Sequence, residues 1–225
     1  MIGYALIIIG FLICTIASIN VNATFNRYKD VNNYRGFTAS QVARQILNSN
    51  GLHHISVERV SGNLTDHYDP RANVVRLSDS VYDSTSVSAI GVAAHECGHA
   101  VQHSEGYVPM QIRRAIIPVT QFGSYAWYIV FILGLVMSFN PLIYAGIILF
   151  SAIVVFQFVT LPVEFNASSR ALKTLEAYHI LETDELKKSK KVLTAAAMTY
   201  VAALANSILQ LFRLLLIASS KNRRE

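Results

Sequence analysis

The chain is poor in charged residues and in cysteine. Charged side chains make up 15% of its 225 residues and hydrophobic ones 52%, whereas charged residues form about a quarter of an average soluble protein. The two cysteines, Cys14 and Cys97, cannot form a disulfide framework, which favours a reducing compartment. The shortage of charge favours a chain with membrane spans over an ordinary soluble domain.

The basic residues lack the arrangement that nucleic-acid binding requires. The net charge is +5, but the lysines and arginines cluster beside hydrophobic blocks, where they act as signals of membrane topology. No basic helix interleaved with aromatic residues occurs in a polar region of the sequence. We therefore expect no nucleic-acid partner.

Long apolar blocks predict an integral membrane protein. Residues 2–19 form a nearly uninterrupted apolar run without a preceding Lys or Arg. This pattern argues against a cleavable signal peptide and predicts a retained first span with its N-terminus outside. Two further runs, residues 125–139 and 142–160, are joined by a very short link and predict a hairpin of spans. Residues 192–218 form a last apolar helix, long enough to cross the bilayer.

A small α+β module is expected between the first span and the hairpin. A helix that begins with a capping box of Thr38 and Gln41 is followed by alternating patterns over residues 55–60 and 73–77, which predict strands. Residues 73–78 are the expected edge strand, to which an extended peptide could pair. The alternative is an edge strand that binds nothing.

The most informative stretch of the chain is His95-Glu96-Cys97-Gly98-His99. On a helix, positions i and i+4 lie on one face, so His95 and His99 can bind one metal ion. Glu96 lies about 100° round the helix, where it can act on a water molecule beside the metal. The spacing indicates a zinc hydrolase of the H-E-x-x-H type, and the alternative is a surface helix that carries these residues by chance. Cys97 points away from the histidines and is expected to be a buried small residue.

A catalytic zinc site normally has a third protein ligand. His103 lies on the same helix face but about 12 Å from His95, too far to share an ion. The metzincin pattern requires glycine and histidine at positions 102 and 105, where this chain has Gln102 and Glu105. That class is therefore excluded.

Glu164 is the better candidate for the third ligand. It follows the hairpin of spans, which returns the chain to the side of the motif. Pro162 suits the first turn of a new helix, on which Glu164 would face the motif. The alternative for Glu164 is a membrane-edge carboxylate that is solvated or paired with Arg170.

These motifs resemble a known family. With His95-Glu96-x-x-His99 and a later Glu164-Phe165-Asn166-Ala167-Ser168 helix between hydrophobic spans, the chain resembles the bacterial membrane neutral zinc metallopeptidases of the YugP type. More distantly it resembles the HtpX and CAAX-prenyl-protease group, which shares the gluzincin plan of His, His and Glu. The resemblance covers nearly the whole chain. It implies one Zn²⁺ ion on His95, His99 and Glu164, and hydrolysis of peptide bonds.

One departure from the HtpX-like pattern concerns Ser168, which stands where that pattern has an aspartate that orients a ligand histidine. Ser168 or another acceptor must therefore fix the imidazole. Asn166 and Arg170 either contact the substrate or simply lie on the helix. Candidates for stabilising the oxyanion, by position only, are Tyr178, His179 and Tyr200. The remaining histidines, expected on the surface, are His53, His54 and His67.

The predicted fold class is α+β: a mainly α-helical integral membrane protein with a small zincin-like catalytic module and about four transmembrane helices. The expected sections are a first transmembrane helix (1–20), the catalytic module with the motif helix (21–124), a transmembrane hairpin (125–160), the third-ligand helix with a basic loop (161–191), and a C-terminal apolar helix with a basic tail (192–225).

Charge distribution predicts the orientation in the membrane. Most basic residues near the spans fall on the side of the motif, which places the zinc site at the cytoplasmic face of a bacterial plasma membrane. Lys221, Arg223 and Arg224 lie on the opposite side if the last helix crosses. The expected function is a multi-pass zinc endopeptidase with Glu96 as general base, acting on membrane-associated or unfolded proteins. The alternative is a non-catalytic membrane scaffold with a structural metal site. The expected partners are a protein or peptide substrate and the lipid bilayer, and the oligomeric state is left open.

Overall fold

The computed structural model describes residues 2–222, so Arg223 and Arg224 of the topology argument lie outside the described residues. The elements in chain order are α1 (Ile2–Tyr28), α2 (Ala39–Ser49), β1 (Ser56–Val60), β2 (His67–Asp69), β3 (Val74–Ser78), α3 (Val87–Ser104), α4 (Val108–Val136), α5 (Asn140–Ala177) and α6 (Thr183–Asn222).

The described chain forms two compact units. One contains the strands and is called the sheet unit, with residues Ile19–Met110 and Pro162–Ala197. The other is called the helical unit, with residues 2–18, 111–161 and 198–222. The helices α1, α4, α5 and α6 each contribute residues to both units, so the surroundings of each differ along its length.

Four helices of the described residues are long and apolar enough to cross a membrane: Gly3–Tyr28, Val108–Val136, Asn140–Ala177 and Thr183–Lys221. The predicted fold class, mainly helical with a small sheet and about four spans, is confirmed. Within the helical unit the Lys221 ammonium group donates to the carbonyl of Leu135 at 2.8 Å and to Ser138 Oγ at 3.0 Å. The end of α6 therefore lies beside the turn between α4 and α5, which indicates that α6 runs the full length of this unit.

Pro118 and Pro162 lie inside helices rather than at their ends. The helix α4 begins at Val108, well before the apolar run that was expected from residue 125, and Pro118 lies inside it. Pro162 does not begin a new helix, because α5 continues through it to Ala177. Proline removes one backbone donor from a helix, and membrane helices tolerate that loss where neighbouring groups satisfy the freed carbonyl. Similarly α1 extends to Tyr28, well past the end of the first apolar run.

The sheet corrects the expected edge strand. Its order is β1-β3-β2, with β1 parallel and β2 antiparallel to β3. Residues 73–78 were expected at an edge, but β3 is central and Val74, Val75 and Leu77 are all buried. Such side chains on both faces are typical of an inner strand. The outer strand β2 was not predicted from the sequence, because three polar or aromatic residues carry little strand signal.

Two helix caps follow the local sequence. Thr38 and Gln41 form the predicted capping box at α2, and Ser86 caps α3 by accepting from the Ala89 amide. The core of the sheet unit is formed by side chains of α2, the sheet, α3 and the adjoining parts of α5 and α6, including Val42, Ile46, Leu47, Val75, Leu77, Ile90, Leu175 and Leu193. The motif helix α3 is therefore packed into this core.

Candidate metal centre

The two motif histidines share one face of α3. They are four positions apart on the helix, and their ring centroids lie 4.7 Å from each other with the planes at 83°. His99 is buried and His95 is partly buried. This packing allows both imidazoles to present a nitrogen to the same point in space.

Glu164 of α5 completes a group of three. Its Oε2 atom lies 3.3 Å from Nε2 of His95 and 3.6 Å from Nε2 of His99, and its side chain is only 2% exposed. The close approach of α5 to α3 depends on Gly98, because a Cβ there would lie 2.7 Å from the backbone carbonyl oxygen of Ala167. The glycine of the motif thus serves helix packing, and this packing brings Glu164 to the histidines.

The second nitrogen of each imidazole is engaged elsewhere. Nδ1 of His95 lies 3.0 Å from Ser168 Oγ, one helical turn after Glu164. Nδ1 of His99 lies 3.0 Å from Oε1 of Gln102. Outer partners of this kind fix the orientation of ligand histidines. Both Nε2 atoms consequently point toward Glu164.

The three donor atoms fit a zinc ion. The ligand atoms of His95, His99 and Glu164 all lie within 4.8 Å of one another. A tetrahedral ion with bonds of about 2.0–2.1 Å separates neighbouring ligand atoms by about 3.3 Å, close to the two distances found. Two imidazole nitrogens and one carboxylate oxygen are also the donor set of many catalytic zinc sites.

The surroundings of His99 favour a cation. Burial acts to lower the pKa of His99, but the hydrogen bond that the ring donates to Glu164 and the negative charges of Glu96 and Glu164 outweigh burial and raise this pKa. The same negative potential that favours a proton on His99 favours a bound metal ion. Metal and proton therefore compete for His99.

Comparison with known proteins places this geometry in a family. The family model described as "Putative neutral zinc metallopeptidase" matches residues 3–219. The chain belongs to this family. A curated relative from Bacillus subtilis (strain 168), named "Putative membrane protease YugP", is 47% identical over 201 residues, which cover 89% of this chain and 89% of the relative. No solved structure gives a significant match.

Membership confirms the resemblance that the motifs suggested and makes the chain a member of a membrane zinc metallopeptidase family.

Glu96 lies beside His95 on α3 and is buried. Its negative charge also acts on Asp66 of the loop before β2. Burial raises the pKa of Asp66 against the hydrogen bonds from Ser78, and repulsion from Glu96 adds to the rise. The Glu96 carboxylate therefore affects the electrostatics of the loop before β2.

Asn166 and Arg170 lie in a hydrogen-bonded network behind His99. Asn166 Oδ1 accepts from Nε of Arg170 at 2.7 Å and from Nε2 of Gln102 at 2.9 Å. Arg170 forms its ion pair with Glu105, at 2.7 Å, rather than with Glu164. Both residues therefore contact the elements that hold the site.

The three residues named as candidates for stabilising the oxyanion lie outside the motif helix α3. Tyr178 and His179 follow α5 and are exposed, and His179 adopts a positive φ of 51° at the end of this helix, as a C-capping residue does. Tyr200 lies in the helical unit.

The Cys97 thiol is buried, donates to the Ala43 carbonyl and has its pKa raised by burial, as expected for a packing residue.

Of the histidines expected on the surface, His53, His54 and His67 are exposed. His103 lies one turn beyond His99, and its Nδ1 is 2.9 Å from the Tyr68 hydroxyl of β2. The sequence analysis did not predict that Gln102, which is completely buried, would contact His99. The spacing of the two residues could have indicated this contact, because an amide three positions after a ligand histidine shares its helix face.

Proposed function

We propose that this protein is a membrane-bound zinc metalloendopeptidase of the H-E-x-x-H plus glutamate, or gluzincin, type. One observation carries the proposal: Glu164 Oε2 lies 3.3 and 3.6 Å from Nε2 of His95 and His99. One Zn²⁺ ion held by these three residues would keep a fourth position open. Three protein ligands are typical of catalytic zinc, whereas structural zinc normally has four. The ligand count therefore supports an enzyme over a scaffold with a structural metal.

Bound zinc would supply Lewis acidity, which polarises a carbonyl group and makes water acidic near neutral pH. Glu96 is the general base in this proposal: it removes a proton from the attacking water. As the C–N bond of the peptide breaks, Glu96 delivers that proton to the leaving nitrogen. The oxygen of the water ends in the new carboxyl group, and Glu96 returns to its ionised state.

We propose that the substrate segment is extended when it binds. Among the described residues, β2 is paired with β3 and is an outer strand of the sheet. This outer strand lies against α3, where the Tyr68 hydroxyl meets His103. A peptide that pairs with β2 would receive backbone hydrogen bonds beside the motif helix. Unfolded or membrane-associated proteins offer such segments, which supports them as the substrate class.

The proposed division of the chain follows from the same reasoning. The catalytic module would combine residues 21–124, which carry the motif, with residues 161–191, which carry the third ligand. The spans would lie in residues 1–20, 125–160 and 192–225. The positive-inside rule supports a site at the cytoplasmic face of a bacterial plasma membrane, since Lys187, Lys190 and Lys191 are exposed just before the last span.

The test combines metal analysis with cleavage of an unfolded test protein in detergent. We expect about one zinc per chain, cleavage that a chelator abolishes, and a loss of at least roughly 100-fold in Glu96→Gln with zinc retained. The matched control is Glu176→Gln, which alters an exposed carboxylate of α5 and should leave activity unchanged. Full activity of Glu96→Gln would contradict the mechanism. Zinc binding without any cleavage by the unmodified protein would favour the scaffold.

A further inference from the structure

A chain of buried and partly buried polar groups connects His99 to the ion pair of Arg170 with Glu105 at the end of α3. Gln102 is fully buried and accepts from Nδ1 of His99 at 3.0 Å. Its amide nitrogen donates to the carbonyl of Val163 at 2.8 Å and to Oδ1 of Asn166 at 2.9 Å. Asn166 Oδ1 also accepts from Nε of Arg170. Every group in this chain has a definite donor or acceptor role.

Arg170 and the Val163 carbonyl together determine these roles. A guanidinium group has donors only, so the Asn166 atom that faces Arg170 is the carbonyl oxygen. The Gln102 atom between that oxygen and the Val163 carbonyl must then be the amide nitrogen, since both neighbours are acceptors. The remaining Gln102 atom is an acceptor and faces His99. Hydrogen bonding at this position therefore requires a proton on Nδ1 of His99.

We infer that Arg170, Asn166 and Gln102 are positioning residues that hold His99 in the Nδ1–H tautomer, with the Nε2 lone pair directed at the metal. The inference rests on the metal-binding role proposed for His99. If the proton were on Nε2 instead, His99 would donate to Glu164 and offer no lone pair to a metal. The partner of one ring nitrogen commonly decides in this way what the other can do.

His95 has a different kind of partner. The Ser168 hydroxyl that faces its Nδ1 can act as donor or acceptor. Ser168 can therefore orient the His95 ring without fixing its tautomer. The two ligand histidines should respond differently when these neighbours are altered, which provides an internal comparison for the experiment.

The experiment uses the full chain in detergent, with ¹⁵N-labelled histidine. In the zinc-free protein, at a pH high enough for the His99 ring to be neutral, ¹⁵N NMR identifies which ring nitrogen carries the proton, and the His99 signals are assigned by their absence in His99→Ala. We expect the unmodified protein to show Nδ1–H at His99. Gln102→Met should produce a mixture of tautomers and lower the zinc affinity, measured by chelator competition, roughly 10–100-fold.

Two variants at Asn166 sharpen the test. Asn166→Leu removes one of the two acceptors that orient the Gln102 amide and leaves the Val163 carbonyl, so it should also mix the tautomers but to a smaller extent, and it replaces Gln102→Met if that variant fails to fold. Asn166→Asp keeps an acceptor for both donors and should preserve the tautomer and the zinc affinity. Ser168→Ala is the control, which should leave the His99 tautomer unchanged.

The outcomes separate this inference from the proposed function. Unchanged tautomer and unchanged zinc affinity in Gln102→Met and Asn166→Leu would overturn the positioning role, even if the unmodified protein is an active zinc peptidase. Conversely, the expected tautomer changes in a protein that cleaves nothing would support the positioning role and contradict the proposed activity.

Discussion

The sheet unit and the helical unit distribute polar and apolar groups in opposite ways. In the sheet unit, Glu164 and Gln102 are buried together with an apolar core. In the helical unit, large apolar side chains such as Phe11, Ile148 and Phe158 are exposed. A bilayer solvates apolar surface, so helices there associate through close contact rather than through burial from water. Apolar exposure thus marks the unit that is suited to a membrane, and polar burial marks the unit that contains the candidate metal centre.

The helix α5 contains this contrast within one element. Its first part, through Leu161, belongs to the helical unit, and its last part, from Pro162, belongs to the sheet unit. Phe158 is exposed to the surroundings, whereas Glu164 is almost completely buried. Variants in the two parts of α5 should therefore have different consequences.

The largest difference is expected between Glu164→Ala and Gln157→Ala. Gln157 is the matched control, since it is a polar residue of the same helix whose Oε1 is buried without a hydrogen-bond partner among the described residues. Loss of a ligand should weaken zinc binding by more than the roughly 10–100-fold cost of altering an outer partner. Chelator competition measures both variants. Equal zinc affinities in Glu164→Ala and the unmodified protein would remove Glu164 from the site.

A smaller difference is expected between two helix glycines. A Cβ on Gly98 would lie 2.7 Å from the Ala167 carbonyl oxygen, and a Cβ on Gly146 of the helical unit 2.7 Å from Phe131 Cβ. Overpacking typically costs about 1–3 kcal/mol, so alanine at either position should lower the free energy of unfolding in detergent. Only Gly98→Ala should also weaken zinc binding, because it displaces α5 and Glu164 from the histidines. Zinc affinity lost in both variants would contradict this distinction.

The smallest effect concerns pH and the stability of the sheet unit. The pKa of His99 is raised in the folded zinc-free protein above its ordinary value of 6.5. Its contribution to stability is therefore fully present below pH 6.5 and is lost as pH rises through the raised pKa. Zinc requires the neutral ring, so its stabilising effect should grow over the same range. Thermal unfolding with and without zinc at several pH values measures both trends, and a zinc-induced shift that shrinks as pH rises would contradict them.

Local patterns could be predicted from the sequence, and these include much of the site. The capping box of Thr38 and Gln41 lies within one helical turn, as does the pairing of His95 and His99 on one face of α3. Glu164 was predicted because two spans must return the chain to the side of the motif. By contrast, the central position of β3 depends on which strands pair with it, and its short sequence does not encode that choice.

By itself the sequence determined the apolar blocks, the helix caps and the spacing of the motif, because each depends on neighbours within a few residues. Only the tertiary structure decided what lies behind His99. Gln102 meets Val163 and Asn166 across separations of 61 and 64 positions, and no helical or strand period relates residues so far apart. Their contact follows from the approach of α5 to α3 at Gly98, where the absence of a side chain lets two backbones come close.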